Sequence, residues 1–588
     1  MSNSQENTFT KDTEDYFFRS SAEDFNKFPD SPIVYWVGRN FLEAYSKMSR
    51  LSARAVKGLD TNGSIELFLK RWFEISSKSF KPLSQGSDHW YPIAKGGEFR
   101  KWYGNNEFCI NYQHGGGALK KNKANLRNAD RYFKEGITWT VVSSGGFAVR
   151  YMPDGFLFDQ GGSGIFLESN DRYSLHDILG SLNSKFVGRV AKLLCPTINF
   201  TTGDVRKFPI EKNSRIADVA TDCIRLSKAD WDSYETSWDF ASLPLLQSDY
   251  RQPTLKGSYQ TLRAHWREMT LEMQRLEEEI NHIFIDAYGL QDELTPDVPL
   301  NEITLTCNPH YRYGGDKSEE ELEALLLADT MRELVSYGVG CMFGRYSLDK
   351  PGLILANQGE TLVDYLAQVP EPSFLADDDN VIPLLDGDWF PDDITLRFRQ
   401  FLRVAFGDAN YEDNLAFIEQ ALNIKGKRNY SLRDYFLDEF YSDHISTASA
   451  KRAGYKKRPI YWLFSSPKGT FNALVYLHRY RPDTVSVVLK YLRDFRDKLA
   501  ARLGYLQKVA ISPDASQSEK TKASKEADTV KKQLLELENY ERETLYPLAQ
   551  QAVSGKLCLD LDDGVKVNYL KLGSALKKIV GLDAKGED

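Results

Sequence analysis

HWYPIAKGGEFRKWYGNNEFCINY (His89–Tyr112), HGGGALKKNKANLRNADRYFKEGITWTVVSSGGFAVRYMPDGFLFDQGGSGIF (His114–Phe166) and LHDILGSLNSKFVGRVAKLLCPTINFTTGDVRKFPI (Leu175–Ile210) belong to one stretch, Gln85 to Ile210, around which the chain is organised. Apolar and polar residues alternate in 138–142 and 147–151 between Gly-rich turns, which predicts short strands and a β-rich module. Between Lys95 and Arg150 there are ten Lys or Arg against four Asp or Glu, in a chain whose formal net charge is -8. A reversal of sign this local asks for a local cause. Basic residues interleaved with Trp90, Tyr91, Phe99, Trp102, Tyr103, Tyr132, Phe133 and Trp139 suit a surface that neutralises phosphates and packs on bases. The alternative is that the aromatics are core and the charges a solvated face.

The length of 588 residues allows three or four domains, each with its own core. Hydrophobic residues make up 41% and charged residues 27%, ordinary for a soluble globular protein, and no apolar run approaches the ~20 residues that span a bilayer. The polar start, MSNSQEN, has no signal-peptide pattern, so the expectation is a soluble, cytoplasmic protein with no membrane partner. Six cysteines at 109, 195, 223, 307, 341 and 558 include no Cys-x-x-Cys pair, which argues against a disulfide framework and a zinc ribbon.

Taken in order, residues 1–84 read as a helical connector. An amphipathic helix is predicted within Ser31–Met48, and a second begins at Ile65–Phe73. Residues 85–215 form the β-rich module. Residues 216–295 hold a polar connector and then the strongest periodicity in the chain. Leu262, Trp266, Met269, Met273, Leu276, Ile280 and Ile283 recur in steps of four and three, predicting one long spacer helix over Leu255–Tyr288. Residues 296–480 read as a mixed helical domain. It has a Glu-rich helix (Ser318–Tyr337), an acidic loop (Glu371–Asp393) expected to be solvated, and a second basic cluster, Lys451–Arg458, before an apolar strand. Residues 481–588 read as a helical hairpin, Val485–Lys508 and Ser518–Leu545, with a capping tail. The fold class expected is therefore α+β: a mixed module flanked by helical domains.

KGGEFRKWYGNN (Lys95–Asn106), RYFKEGITWT (Arg131–Thr140), SSGGFAVRY (Ser143–Tyr151) and the closing LNSK…INFTTGDVRKFPI resemble the target-recognition region of PglX-type adenine-specific DNA methyltransferases of BREX phage-defence systems. The closing part is also similar to the recognition modules of type I specificity subunits and TaqI-like methyltransferases. SAEDFNKFPDSPIVYWV (Ser21–Val37), GCMFGRYSLDKPGLILAN (Gly340–Asn357) and KRPIYWLFSSPKGTFNALVYLHRY (Lys457–Tyr480) resemble the same family's C-terminal half. The resemblance implies a restriction-modification-like role in which this chain recognises a DNA target for adenine-specific N6 methylation, while methyl transfer belongs to a catalytic half or subunit that this chain lacks. It implies no cofactor in this chain, with S-adenosylmethionine expected in that other half. Double-stranded DNA, that half or subunit, and other BREX components are the partners implied.

Two fragments imitate the chemistry itself. FDQGGSG (Phe158–Gly164) is similar to a strand ending in an acid before a cofactor-binding Gly turn, and Asn308-Pro-His-Tyr311, after a strand-like ITLTC (Ile303–Cys307), is similar to the element that holds a flipped adenine. The Gly turn leads into IFLE, strand-like where that fold needs a helix, and His310 stands where the element has Pro. No catalytic, cofactor or metal residue is therefore assigned. A complete or degenerate S-adenosylmethionine-dependent DNA methyltransferase, or a protein-interaction scaffold binding acidic partners, are the alternative readings. The three aspartates Asp377–Asp379 match no calcium-loop spacing. For DNA contact the candidates are Lys95, Arg100, Lys101, Lys120, Lys121, Lys123, Arg127, Arg131 and Lys134, placed in loops between predicted strands, with Arg100 or Arg127 the candidate guanine reader.

Overall fold

The structure, a computed structural model, describes residues 29, 36–63, 65–84, 86, 89–446 and 455–582. It is α+β, with small sheets set among many helices. The first described helix, Arg39–Lys47, lies within the predicted 31–48 helix but is shorter. Beyond it the chain departs from a helical connector. Strands β1 (Ser49–Arg50), β2 (Ala55–Val56) and β3 (Leu69–Arg71) all pair with strands of the later module, which adds β4 (Trp90–Ala94), β5 (Phe108–Asn111), β6 (Gly136–Trp139), β7 (Val149–Met152), β8 (Leu157–Phe158), β9 (Gly164–Ile165) and β10 (Pro209–Ile210). Two four-stranded sheets result, ordered β2-β9-β6-β7 and β3-β5-β4-β8, and β1 closes on β10. Among these named strands the β4–β8 pair alone is parallel, in the register Ile93 to Leu157. The predicted helix at 65–73 is a single turn, Ile65–Phe68, because Leu69 to Arg71 are drawn into pairing with Ile110 to Phe108. Tertiary pairing here overrides the local helical spacing. The predicted boundary at 84/85 thus falls inside one folded unit.

The long helix runs from Leu255 to Tyr288, as its periodicity predicts. The Thr254 side chain accepts from the Gly257 N–H at its start, and Gly289 ends it in the left-handed conformation. Leu262, Trp266, Met273, Leu276 and Ile280 are buried, so the stripe is core packing. The helix is not a bare strut, since Glu277 and Asn281 bond into the β-rich module. The connector before it begins as an 18-residue helix, Ser214–Trp231, which crosses the expected 215/216 boundary.

Strands β11 (Val381–Pro383), β12 (Tyr461–Ser465) and β13 (Asn472–Tyr476) form a third sheet in the order β11-β13-β12. Its side chains alternate between two cores. Tyr461, Leu463, Leu474 and Tyr476 join the large core shared with the β-rich module, while Trp462, Phe464, Ala473 and Val475 join a second core. That second core holds the hairpin of helices Thr484–Ile511 and Gln517–Tyr540. Burial on both faces explains the unbroken run YWLF at 461–464, where a half-exposed strand would alternate. The chain tail returns to the module: Asp562 accepts from the Trp90 indole at 2.9 Å, and Glu74 from the Val565 N–H at 2.8 Å.

The acidic loop differs from expectation at Asp377, which is buried. Burial, then the neighbouring Asp379, pushes its carboxyl up to about 7. Asp377, Asp378 and Asp379 approach one another, and the Arg479 guanidinium bonds to the backbone oxygens of Asp377 and Asp378. Five of the six cysteines are buried and all are unpaired.

Candidate nucleic-acid interface

The ten cations between Lys95 and Arg150 divide into inside and outside. Arg100 is 3% exposed. Its guanidinium donates to the Thr304 carbonyl at 3.3 Å and the Thr306 hydroxyl at 2.8 Å, and lies 3.6 Å from the Asp230 carboxylate. Lys101 is buried as well, with its ammonium 2.7 Å from Glu277, whose second oxygen accepts from the Trp102 indole. Arg150 is buried beside them, and burial, then the repulsion of Arg100, lowers it to about 10. Lys101 anchors the module to the long helix and Arg100 to the segment 303–307, while Arg150 bonds within the module to the Arg100 carbonyl and the Thr140 hydroxyl. The candidacy of Arg100 and Lys101 for DNA contact is corrected on this ground: both side chains are buried against Asp230 and Glu277, away from the surface a duplex would meet. Most of the interleaved aromatics are core too, with Trp90, Trp102, Tyr103, Tyr132 and Trp139 all buried.

The outside group is carried by the segment between β5 and β6. A short helix, Gln113–Lys121, opens through three left-handed residues, His114, Gly115 and Gly116. The turn requires glycine at 116, where an added Cβ would sit 2.9 Å from the Tyr112 ring in a left-handed backbone. Leu119 points into the core and leaves Lys120, Lys121 and Lys123 exposed. The loop beyond is pinned rather than loose. Asn125 and Asp60 exchange two backbone hydrogen bonds, Asn128 bonds to the Lys57 carbonyl, and the Tyr132 hydroxyl donates to the Arg127 carbonyl. Arg127 and Arg131 are half-buried and partly neutralised, 3.7 Å from Asp60 and 3.2 Å from Asp130. Lys134 is exposed next to Phe133, which is 38% exposed and has φ +64°. The Phe133 ring rests on Tyr91 and Tyr112, with centroids 5.2 and 5.6 Å away. Lys120, Lys121, Lys123, Lys134 and Phe133 are therefore the part of the predicted set presented to solvent, on a loop whose base is fixed.

Lys95 stands apart, four residues along the chain from Tyr91 on β4. It lines an open groove of about 660 Å³ together with Arg71 and Lys456. Sequence reasoning does not single out Arg71, which falls within the predicted helix at 65–73; Lys456 belongs to the second basic cluster, of which 451–454 lie outside the described residues. The Arg71 guanidinium and the Lys456 ammonium both donate to Glu107. Burial pulls the Glu107 carboxyl upward, but Lys456 and Arg71 outweigh it and hold it down at about 2.

The two fragments that imitate methyl-transfer elements do not fit S-adenosylmethionine or a flipped adenine. The Gly161 and Gly162 N–H groups both donate to the Asp159 carboxylate, at 2.8 and 2.7 Å, so the turn offers neither to a ligand. It connects β8 to β9, strand to strand. An added Cβ at Gly162 would meet the Ala94 carbonyl at 2.5 Å, which explains the glycine by close backbone approach. Asn308 is fully buried and caps the short helix Pro309–Tyr313: its oxygen accepts from the His310 N–H and its amide donates to the Leu300 and Ile303 carbonyls. The preceding 303–307 is not a strand. Thr306 and Cys307 give their N–H groups to Asp230.

No protein-family model matches the chain. It is 44% identical over 573 residues to the adenine-specific methyltransferase BrxX of Escherichia coli O9:H4 (strain HS). The two are homologues. The adenine-specific methyltransferase PglX of Lacticaseibacillus casei (strain Zhang) is a second homologue, 35% identical over 596 residues. Each alignment takes in 96% of this chain and 46% of the relative, so the chain spans about half the length of the curated relatives it matches. Among the described residues no helix is long and apolar enough to cross a membrane.

Proposed function

We propose that this chain is the DNA-recognition and scaffold portion of a BREX-type, PglX-like adenine-specific methyltransferase, corresponding to the C-terminal half of that family. It binds double-stranded DNA and does not itself transfer the methyl group. S-adenosylmethionine and the transfer step belong to a catalytic half or subunit. The observation that carries this reading is the local reversal of charge in an acidic chain. Lys120, Lys121, Lys123 and Lys134 are exposed around a partly exposed Phe133, on a loop tied to a rigid sheet, in a homologue of adenine-specific methyltransferases. Phosphate contacts from such lysines set position and register, and base edges are then read from the same loop, where Arg127 is the remaining arginine of the two candidate guanine readers.

The test has two arms. The purified chain is titrated into a fluorescent duplex, and it is incubated with labelled S-adenosylmethionine and DNA. Salt-sensitive binding without transfer is the expected pair of results. Transfer that disappears in Asn308→Ala would overturn the division of labour, and an absence of duplex binding would favour an acidic protein as the partner.

A further inference from the structure

The groove around Lys95 joins segments far apart in the chain. Arg71 ends β3 opposite Phe108 on β5, Lys95 follows β4, and Lys456 is 349 residues from its partner Glu107. Ser143 and Ser144, in the turn after β6, also line it. Arg71 lies 4.6 Å and Lys95 4.8 Å from the centroid of the Phe108 ring. Among the charged side chains that line it, the three cations Arg71, Lys95 and Lys456 outnumber two carboxylates, the buried Glu107 and the exposed Glu98. Glu107 takes one N–H of the guanidinium's five and one of the ammonium's three, so Arg71 and Lys456 keep donors for a ligand. Lys456 and Lys457 are consecutive left-handed residues, φ +46° and +58°. Such backbone is unfavourable for residues with a side chain and persists only where its surroundings impose it. Here backbone bonds from Lys457 to Ile445 and from Arg458 to Tyr455 impose it, and the result is that the Lys456 ammonium is delivered to the groove.

We propose that this groove is a phosphate-binding site for the nucleic-acid backbone, with Arg71 and Lys456 as the donors and Glu107 as the positioning residue that holds both in the wall. The proposal rests on the DNA-recognition reading and adds a second anchorage to it. Tyr91, which carries Phe133, and Lys95 are four residues apart along an extended segment, roughly 13 Å. That distance is about the rise of four base steps at ~3.4 Å each, the spacing at which one duplex would meet both the lysine loop and the groove. The volume of about 660 Å³ is within the range of pockets that enclose small ligands.

The experiment compares the full chain with Lys456→Gln, Arg71→Gln, Lys456→Arg and Glu107→Gln by duplex binding across a salt series, with thermal melting in parallel. Each Gln replacement of a cation is expected to lower the slope of log affinity against log salt by about 0.9, and Lys456→Arg to keep it. Glu107→Gln removes a negative charge from the wall, so duplex affinity at low salt is expected to rise even if the melting temperature falls. If Lys456→Gln melts early, the double variant Lys456→Gln, Glu107→Gln removes the pair together and the slope is read there. Slopes unchanged in Lys456→Gln and Arg71→Gln, with no gain in Glu107→Gln, would overturn the proposal and leave the cluster a structural ion pair. Inorganic phosphate that raises the parent's melting temperature, while the groove variants leave duplex binding untouched, would assign the pocket to free phosphate and overturn the backbone reading. A parent that binds no duplex would sink the DNA reading itself. Binding lost only in the Lys120, Lys121, Lys123 triple alanine variant would sink the groove alone.

Discussion

Lys101 and Lys121 are alike in the sequence and opposite in the structure, and replacing each should separate two kinds of cation. Lys101→Met removes one partner of a buried pair 2.7 Å apart and leaves Glu277, among the described residues, with the Trp102 indole alone. Breaking a buried pair in this way costs about 3–5 kcal/mol, because the remaining charge stays desolvated. Exposed lysines without ion pairs among the described residues cost within about 0.5 kcal/mol when truncated. The triple variant Lys120→Ala, Lys121→Ala, Lys123→Ala should therefore melt like the parent. Its signature lies in DNA binding. Three lost phosphate contacts lower the salt slope by about 2.7, so between ~50 and ~200 mM salt the parent should lose about 40-fold more affinity than the triple variant. Fluorescence anisotropy with one cognate and one random duplex measures this, and the loss should be similar on both. Lys101→Met, assayed below its own melting transition, should keep the parent's slope. A triple variant with the parent's slope, or a Lys101→Met that melts like the parent while binding DNA poorly, would refute the assignment of inside and outside.

Two further outcomes test the packing. Burial, against the Gly162 and Gly161 N–H groups and Lys95, raises the Asp159 carboxyl from 3.8 to about 7, so its contribution to stability is complete below about pH 4 and is lost as pH rises through about 7. That displacement corresponds to about 4 kcal/mol at most, and Asp159→Asn, which keeps an acceptor for both N–H groups, should gain stability over the parent progressively between about pH 4 and 8; a gap that does not widen with pH would refute it. Met273→Asp places a carboxylate in the buried stripe of the long helix and should cost several kcal/mol at neutral pH, read as a drop in the first melting transition.

Legibility in the sequence tracks the range of the interactions involved. The helix Leu255–Tyr288 and the hairpin announce themselves because a helical period is written into neighbouring residues, and caps such as Thr254 and Ser516 lie within three positions of the N–H they bind. Ile65–Phe73 carries the same local signal and misleads, since the partner that turns Leu69–Arg71 into a strand lies nearly forty residues on, at Phe108–Ile110. Several strands of the module are only two residues long, too short for any alternation to show.

Charge behaves in the same way. Composition counts Lys101 and Lys121 equally, because the acid that buries Lys101 is 176 residues away. The excess of basic residues between Lys95 and Arg150 is thus a mixture of two causes: part answers Asp230 and Glu277 inside the protein, and part faces solvent. The same separation hides Arg71 and Lys456, which sit in different stretches of the chain and acquire a common site only through Glu107. A local excess of charge can therefore locate a binding module without naming its contacts. Those are decided by which cations the rest of the chain has already neutralised. Arg127, drawn to within 3.7 Å of Asp60, stands between the two groups: a guanine edge would have to compete with that carboxylate, which favours a cognate site that displaces it over random DNA that does not.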